Sequence, residues 1–219
     1  IGGPARAELV LDATELGLGV YGKDGDPPKF AADLSSGIGS FDAYGELALL
    51  DSRNVDRVRR EPAAVVPPAP PPPSWQTPEE AGLARLQQVV DLVYPVYQQR
   101  GYRPQIVGGI SYAQRYNDGD TFTVGAEYFY NGLGYGSSDP YLGLVLPHST
   151  ALPEPARPFY LGRHYAALFV SLPAPFSLDL HGFTLSTLGN LSDRSIITRF
   201  DYSFTILTHY GQLLTYGFW

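Results

Sequence analysis

The sequence predicts an all-β fold: an antiparallel transmembrane β-barrel of about eight or nine strands, or a fragment of a larger barrel, with one short helix in a long loop. Three observations lead there. Apolar and polar residues alternate over runs longer than globular strands usually are. A glycine-containing turn joins two of these runs in a register that their alternation independently requires. The composition, with 16 Tyr, 11 Phe and 24 Gly among 219 residues of which 17% are charged, suits strands, which favour aromatic and β-branched side chains.

The cleanest run is 194–208. Ile196, Thr198, Phe200, Tyr202, Phe204 and Ile206 fall on one face, and Ile197, Arg199, Asp201, Ser203 and Thr205 on the other. A strand of about twelve residues at roughly 3.3 Å each, tilted by about 40°, rises close to 30 Å, the thickness of a bilayer core.

A hairpin is predicted over 105–131. Its first arm puts Ile106, Gly108, Ile110 and Tyr112 opposite in phase to Val107, Gly109, Ser111, Ala113 and Arg115. Its second sets Phe122, Val124, Ala126, Tyr128 and Tyr130 against Thr121, Thr123, Gly125, Glu127 and Asn131, with Phe129 breaking the pattern. Both apolar faces fall on even numbers, and a three-residue turn at Asn117-Asp118-Gly119 satisfies that parity. Tyr112 then faces Val124, Ile110 faces Ala126, and Gly108 faces Tyr128, whose ring is expected to cover the bare glycine.

Further strands are expected at 7–22, 28–38, 41–50, 159–172, 176–188 and 210–218. The parity change from Phe176, Leu178 and Leu180 to Phe183 and Leu185 suggests a bulge near His181-Gly182. The whole of 1–219 reads as one barrel domain, with 51–104 as an extracellular loop insertion. That insertion holds a polyproline spacer ending in Pro70–Pro73, then a helix near 78–94. Thr77 is its N-cap, Pro78 its first residue, and Leu83, Leu86, Val89, Val90 and Val93 its apolar stripe. The helix packs on the rim or folds into the barrel mouth.

Composition and motifs exclude several classes. The 15 Lys+Arg against 22 Asp+Glu give a net charge of -7, which argues against a nucleic-acid partner. There is no cysteine for disulfides or thiolate chemistry. His148, His164, His181 and His209 do not stand at metal-ligand spacing, so no catalytic, cofactor or metal residue is assigned. Gly132-Leu-Gly-Tyr-Gly136 lacks the strand–helix setting of a phosphate loop. The informative charges are Arg115, Glu127, Arg199 and Asp201. Each falls on the polar face of a clean strand, and a mid-bilayer Arg facing lipid would cost about 2–4 kcal/mol, so all four are expected to face the lumen.

Alternating strands, tyrosine-rich strand ends, Asn/Asp-Gly turns and an aromatic C-terminus resemble bacterial outer-membrane β-barrel proteins of the porin-like type. In such proteins the last strand ends in an aromatic assembly signal, and Leu214, Tyr216 and Phe218 before Trp219 are similar. The resemblance implies a place in the outer membrane, with its lipid bilayer as partner, and a passive channel for small polar solutes, in oligomeric form or not. The alternative is a structural barrel whose loops 51–104 and 132–157 bind a protein partner or other subunits.

Overall fold

In the computed structural model, which describes residues 2–52, 56–61, 65, 67–68, 77–116, 119–148, 161–178, 180–207 and 213–218, the chain runs up and down through one antiparallel sheet. In chain order the elements are β1 (Gly2–Leu11), β2 (Thr14–Lys23), β3 (Asp26–Ile38), β4 (Phe41–Asp51), a short β5 (Asp56–Val58), α1 (Pro78–Val93) and a short β6 (Val96–Gln98). Then follow β7 (Tyr102–Arg115), β8 (Thr121–Asn131), α2 (Tyr141–Val145), β9 (His164–Pro173), β10 (His181–Asn190), β11 (Ser195–Leu207) and β12 (Leu213–Phe218). Ten of the strands form one sheet in chain order, while β5 pairs only with β6. The all-β class is as the alternation predicts. The strand count is higher than expected, and the sheet is open rather than closed into a barrel, with β1 and β12 at its edges.

The extra strand comes from 7–22, which is two strands. Leu9 faces Leu16 and Leu11 faces Thr14, so the chain reverses at Asp12-Ala13, with Asp12 left-handed at φ 51°. No glycine or proline marks this turn; Asp is one of the few other residues that tolerate the conformation.

The β7–β8 hairpin adopts the predicted register, Tyr112 with Val124, Ile110 with Ala126 and Gly108 with Tyr128. Asn117 and Asp118 of its turn lie outside the described residues, as do Pro70–Pro73, His209 and Trp219. Tyr128 does not cover Gly108, however: a Cβ there would meet only the Tyr44 carbonyl oxygen, at 3.7 Å. Its hydroxyl instead lies 2.6 Å from His164 Nδ1 on β9. Nor is there a bulge at His181-Gly182, since Gly182 pairs in register with both Pro173 and Ser203. The parity change arises because Pro175–Ser177 is a 3-10 turn and the strand begins only at His181.

Registered partners share a face of a sheet, so the pairings sort the strand residues onto two faces. One face carries Ala5, Ala7 and Leu9 of β1, then Leu16, Leu18 and Val20, then Phe30, Ala32 and Leu34. It continues through Leu47, Ile106, Ala126, Leu168, Leu185 and Phe200 to β11. Among the described residues the one charge whose register falls on this face is Asp51, at the rim opposite Tyr102. The opposite face carries Arg6, Glu8, Glu15, Asp33, Glu46, Glu127, Arg199 and Asp201. Phe129, which breaks the alternation in sequence, sits on this second face opposite Val107 and Tyr165.

The apolar face is uncovered. Leu18 is 54% exposed, Leu34 49%, Leu168 46% and Phe200 54%. The described side chains that are buried lie elsewhere, chiefly Val58, Val90, Tyr94, Arg57 and His148, in the two long connections 52–101 and 132–163. Strand direction puts both connections at the same rim of the sheet.

Helix α1 spans Pro78–Val93 as predicted, with a full capping box. The Thr77 side chain accepts from Glu80 N at 3.2 Å, and Thr77 N donates to Glu80 Oε2 at 2.8 Å. The Thr77 N–H first, and then the Thr77 hydroxyl donating to the same Glu80 oxygen at 3.0 Å, hold the Glu80 carboxyl below its ordinary range. A depressed carboxyl supports the helix above its unfolded value and ceases to as pH falls through the folded one. Thr77→Ala is expected to destabilise α1 by about 1 kcal/mol, read as faster amide exchange confined to its first turns.

Candidate functional site

The polar face is the concave one. Arg6 of β1, Asp33 of β3, Glu46 of β4, Gln105 and Val107 of β7 and Phe129 of β8 line a common cavity of about 430 Å³. In a flat sheet β1 and β8, five strand spacings apart, would be separated by roughly 24 Å. Curvature toward this face lets them share one cavity.

Two polar bridges span alternate strands of this face by the same device. Arg6 donates from Nη1 and Nη2 to the two oxygens of Asp33, both at 2.9 Å. The pair crosses β2 directly over Gly17, where a Cβ would lie 2.6 Å from Arg6 Nη2. The Tyr44 hydroxyl of β4 likewise donates to Glu127 of β8, with the Tyr44 ring over Gly109 of β7. Missing side chains on the middle strands give these reaches their room. Gly109→Ala would set a methyl 2.6 Å from ring carbon Cε1 of Tyr44 and push the phenol off Glu127. Leaving that carboxylate without its donor is expected to cost about 1–3 kcal/mol, measurable as a lower urea midpoint in detergent.

All four charges singled out in the sequence lie on the polar face. They fall into separate groups. Glu127 accepts from Tyr44. Arg199 donates to Asp201 at 2.8 Å. Arg115 stands near the far rim, level with Thr121. Sequence reasoning did not single out Arg6, Asp33, Tyr44 or Glu46. Arg6 is the hub of the group, within 3.6 Å of Glu8 and 3.8 Å of Glu15 besides its bond to Asp33. The available signal was the switch of apolar parity between Leu9 and Leu16, which places Arg6 and Glu8 on the polar side of a strand of their own.

At the other rim the two long connections pack into one cap. Arg57, 4% exposed, donates to the carbonyls of Leu133 and Gly134 at 2.6 and 3.0 Å and lies 4.2 Å over the Tyr135 ring. Val58 N donates to the Tyr135 hydroxyl at 3.0 Å, and Arg60 lies 3.5 Å from Asp139. Gly143 of α2 lies against Tyr94 and Val58. The cap is tied to the sheet through polar-face side chains. Asn131 Oδ1 accepts from Leu133 N at 3.1 Å and from Gln105 at 3.1 Å. The Tyr165 hydroxyl accepts from Gly162 N at 2.7 Å, and Asn190 donates to the Tyr141 hydroxyl at 3.4 Å. Burial pushes the Tyr141 phenol up, with the Asp193 charge adding to it against the Asn190 bond.

No protein family, no curated protein and no solved structure matches the chain. Its function therefore has to be read from its surfaces. What the arrangement offers chemically is a concave, charged and hydrogen-bonding surface with a cap at one end, backed by an apolar surface that is uncharged between its rims. Among the described residues no three His, Cys, Asp or Glu side chains come together as metal ligands.

Proposed function

We propose that the chain forms the wall of an outer-membrane β-barrel, with its apolar face in lipid and its polar face around a passive path for small polar solutes. The observation that carries this reading is the continuous apolar face, uncharged between the rims and open across the sheet. A soluble monomer rarely leaves an apolar patch of more than a few hundred Å² exposed; lipid is the solvent such a face suits. Apart from β12, the strands of the sheet have 10 to 14 residues, which at about 3.3 Å each and a tilt near 40° rise roughly 25 to 35 Å, matching the apolar band of about 25 Å that outer-membrane barrels present to lipid.

Aromatic side chains on the apolar face gather toward its two ends. Phe30 lies beside Tyr102, and Tyr128 and Tyr130 beside His164, toward the capped rim. Phe41 lies beside Tyr112, and His181 beside Tyr202, toward the other. Interfacial belts take this form. In lipid the edges β1 and β12 require strand partners, because unpaired backbone groups there cost several kcal/mol each.

The full chain, refolded into detergent and then into planar bilayers, is expected to migrate differently on gels with and without heating and to conduct small ions in discrete steps. Recovery as a detergent-free monomer with no heat-dependent migration would overturn the membrane reading.

A second reading, a barrel that serves as a docking platform, is favoured by apolar side chains left bare on the cap. Val90 is the one buried residue of α1, while Leu83 and Leu86 of α1 and Leu142 and Val145 of α2 stay exposed. Under this reading the barrel refolds and shifts on heating but does not conduct.

A further inference from the structure

The two edge strands of the sheet are matched to each other. Strand order puts β1 and β12 at the edges, and β1 is exposed at every residue. β1 runs away from the capped rim and β12 runs toward it, because direction alternates along the sheet. Brought together, the two would be antiparallel. Their faces agree as well. Odd positions of β1, among them Ala5, Ala7 and Leu9, register on the apolar face, as do the even positions of β12, Leu214, Tyr216 and Phe218. An odd residue of β1 opposite an even residue of β12 thus joins both faces of the sheet without a break.

The stagger of the sheet selects which residues meet. Pair by pair, Leu9 of β1 is level with Gly45 of β4, Tyr128 of β8 and Ile196 of β11. Leu9 is two residues from the end of β1 at the uncapped rim, and Ile196 is one residue from the start of β11 at the capped rim. A row of pairs therefore climbs as it crosses the sheet, and the strands lie tilted to its rims. Since Tyr202 pairs with Phe218, the row from Leu9 would meet the line of β12 six residues past Phe218. With Gly3 set opposite Phe218, that row returns to β1 twelve residues below Leu9, six from each side of the seam. Twelve residues at about 3.3 Å climb about 40 Å, while ten strands at about 4.8 Å span about 48 Å, so the tilt is about 40°. Closed barrels tilt by about 35–45°. A register two residues away in either direction keeps the faces joined but moves the tilt to about 35° or about 44°, the ends of that range.

We propose that β1 pairs with β12 of the same chain, with Gly3 opposite Phe218 and Ala5 opposite Tyr216, closing the sheet into a ring of ten strands. This pairing names the strand partner that the barrel reading above calls for, and it rests on that reading. Curvature favours the same chain over a second copy. β1 and β8, five positions apart in the sheet, stand opposite each other in a ring of ten but only a quarter turn apart in a two-chain ring of twenty. Arg6 of β1 and Phe129 of β8 line one cavity, which fits the tighter ring. The bonds from Arg6 to Asp33 and from Tyr44 to Glu127, each reaching over a middle strand, draw the sheet toward the same side. The seam sets the six described residues of β12 against positions 3–8 of β1. Backbone groups that lipid would leave unsatisfied at both edges then bond each other.

The chain has no cysteine, so introduced pairs report the seam directly. Registered partners lie about 4.5–5.5 Å apart, within reach of a disulfide, whereas partners displaced by two residues lie about 7–8 Å apart, beyond it. In the full chain, refolded into detergent and mildly oxidised, Ala5→Cys with Tyr216→Cys should cross-link within one chain in most molecules. Ala5→Cys with Leu214→Cys should do so in few. A cross-link that joins two chains instead overturns the proposal in favour of a two-chain ring, and a displaced pair that links better than the level one overturns the register. Absence of any link in protein that still shifts on heating overturns the closure and leaves the membrane reading standing. A link within one chain that stays monomeric without detergent supports the closure and sinks the membrane reading. Hydrogen exchange of the unmodified chain in detergent gives the same answer without substitutions. With β12 as second neighbour, all β1 amides at 3–8 should exchange slowly; fast exchange at every second one, as at an open edge, overturns the pairing.

Discussion

Leu168→Arg is expected to abolish stable insertion, while Ala167→Arg, one residue away on the same strand, leaves a folded protein. Leu168 stands at mid-strand on the apolar face, between Ala126 of β8 and Thr187 of β10, and is 46% exposed. An Arg there finds no carboxylate on either neighbour, only the Thr187 hydroxyl that already bonds Thr198 at 3.1 Å, and in lipid it would have to enter hydrocarbon. The cost at the midplane is about 2–4 kcal/mol, a large share of the 5–15 kcal/mol by which a protein is typically stable. Ala167 faces the other way, level with Glu127 and Leu188, where a guanidinium finds water and a carboxylate. The readout is the fraction of heat-modifiable protein after refolding into vesicles, with urea titration giving the magnitude. Equal behaviour of the two variants would mean that lipid does not contact this face.

Gly134→Ala is expected to unseat the cap without unfolding the sheet. A Cβ at this position would fall on the carbonyl oxygen of Gly162 and within 2.7 Å of Arg163 Cα. These are backbone atoms, held by the reciprocal pairing of Tyr135 with Leu161 and Arg163, so no side chain can swing away. The same glycine's carbonyl accepts from Arg57 at 3.0 Å, and displacing it removes a donor–acceptor pair from around a buried cation. Overpacking of this kind costs about 1–3 kcal/mol, and the loss of a hydrogen bond to a charged group adds about 1.5–3 kcal/mol. Limited proteolysis should then cut within α1, while the β7–β8 hairpin stays protected. Loss of hairpin protection as well would show that cap and sheet fold as one cooperative unit.

What could be read from the sequence was what repeats at a period of two. The faces of β7, β8 and β11 follow from alternation alone, and a turn of defined length then set the β7–β8 register. The helix was legible because Thr77, Pro78 and Glu80 sit at fixed offsets that only a helix start uses. The reversal at Asp12-Ala13 was missed because Asp adopts a left-handed turn without a neighbouring glycine to announce it. The bridges from Arg6 to Asp33 and from Tyr44 to Glu127 cross an intervening strand. Alternation orders residues along one strand and is silent on how far a sheet curls, so these partners were out of reach. The cap was hidden for a related reason: Arg57 bonds mostly to backbone carbonyls of a distant loop, which carry no mark of residue type, and His148 meets Asp91 from 57 positions away.

The apolar face also bears on how the chain travels before it folds. That face is a product of pairing. Along any one strand it supplies only every second residue, and no helix of the described chain is long and apolar enough to cross a membrane. While extended, then, the polypeptide offers no continuous greasy stretch that would arrest it in the first bilayer it meets, and it can be passed through water as an unfolded thread. The oily surface arises only as neighbouring strands come into register. In an outer-membrane barrel of the kind proposed above, insertion and folding would then be one event, committed at the destination and not along the route.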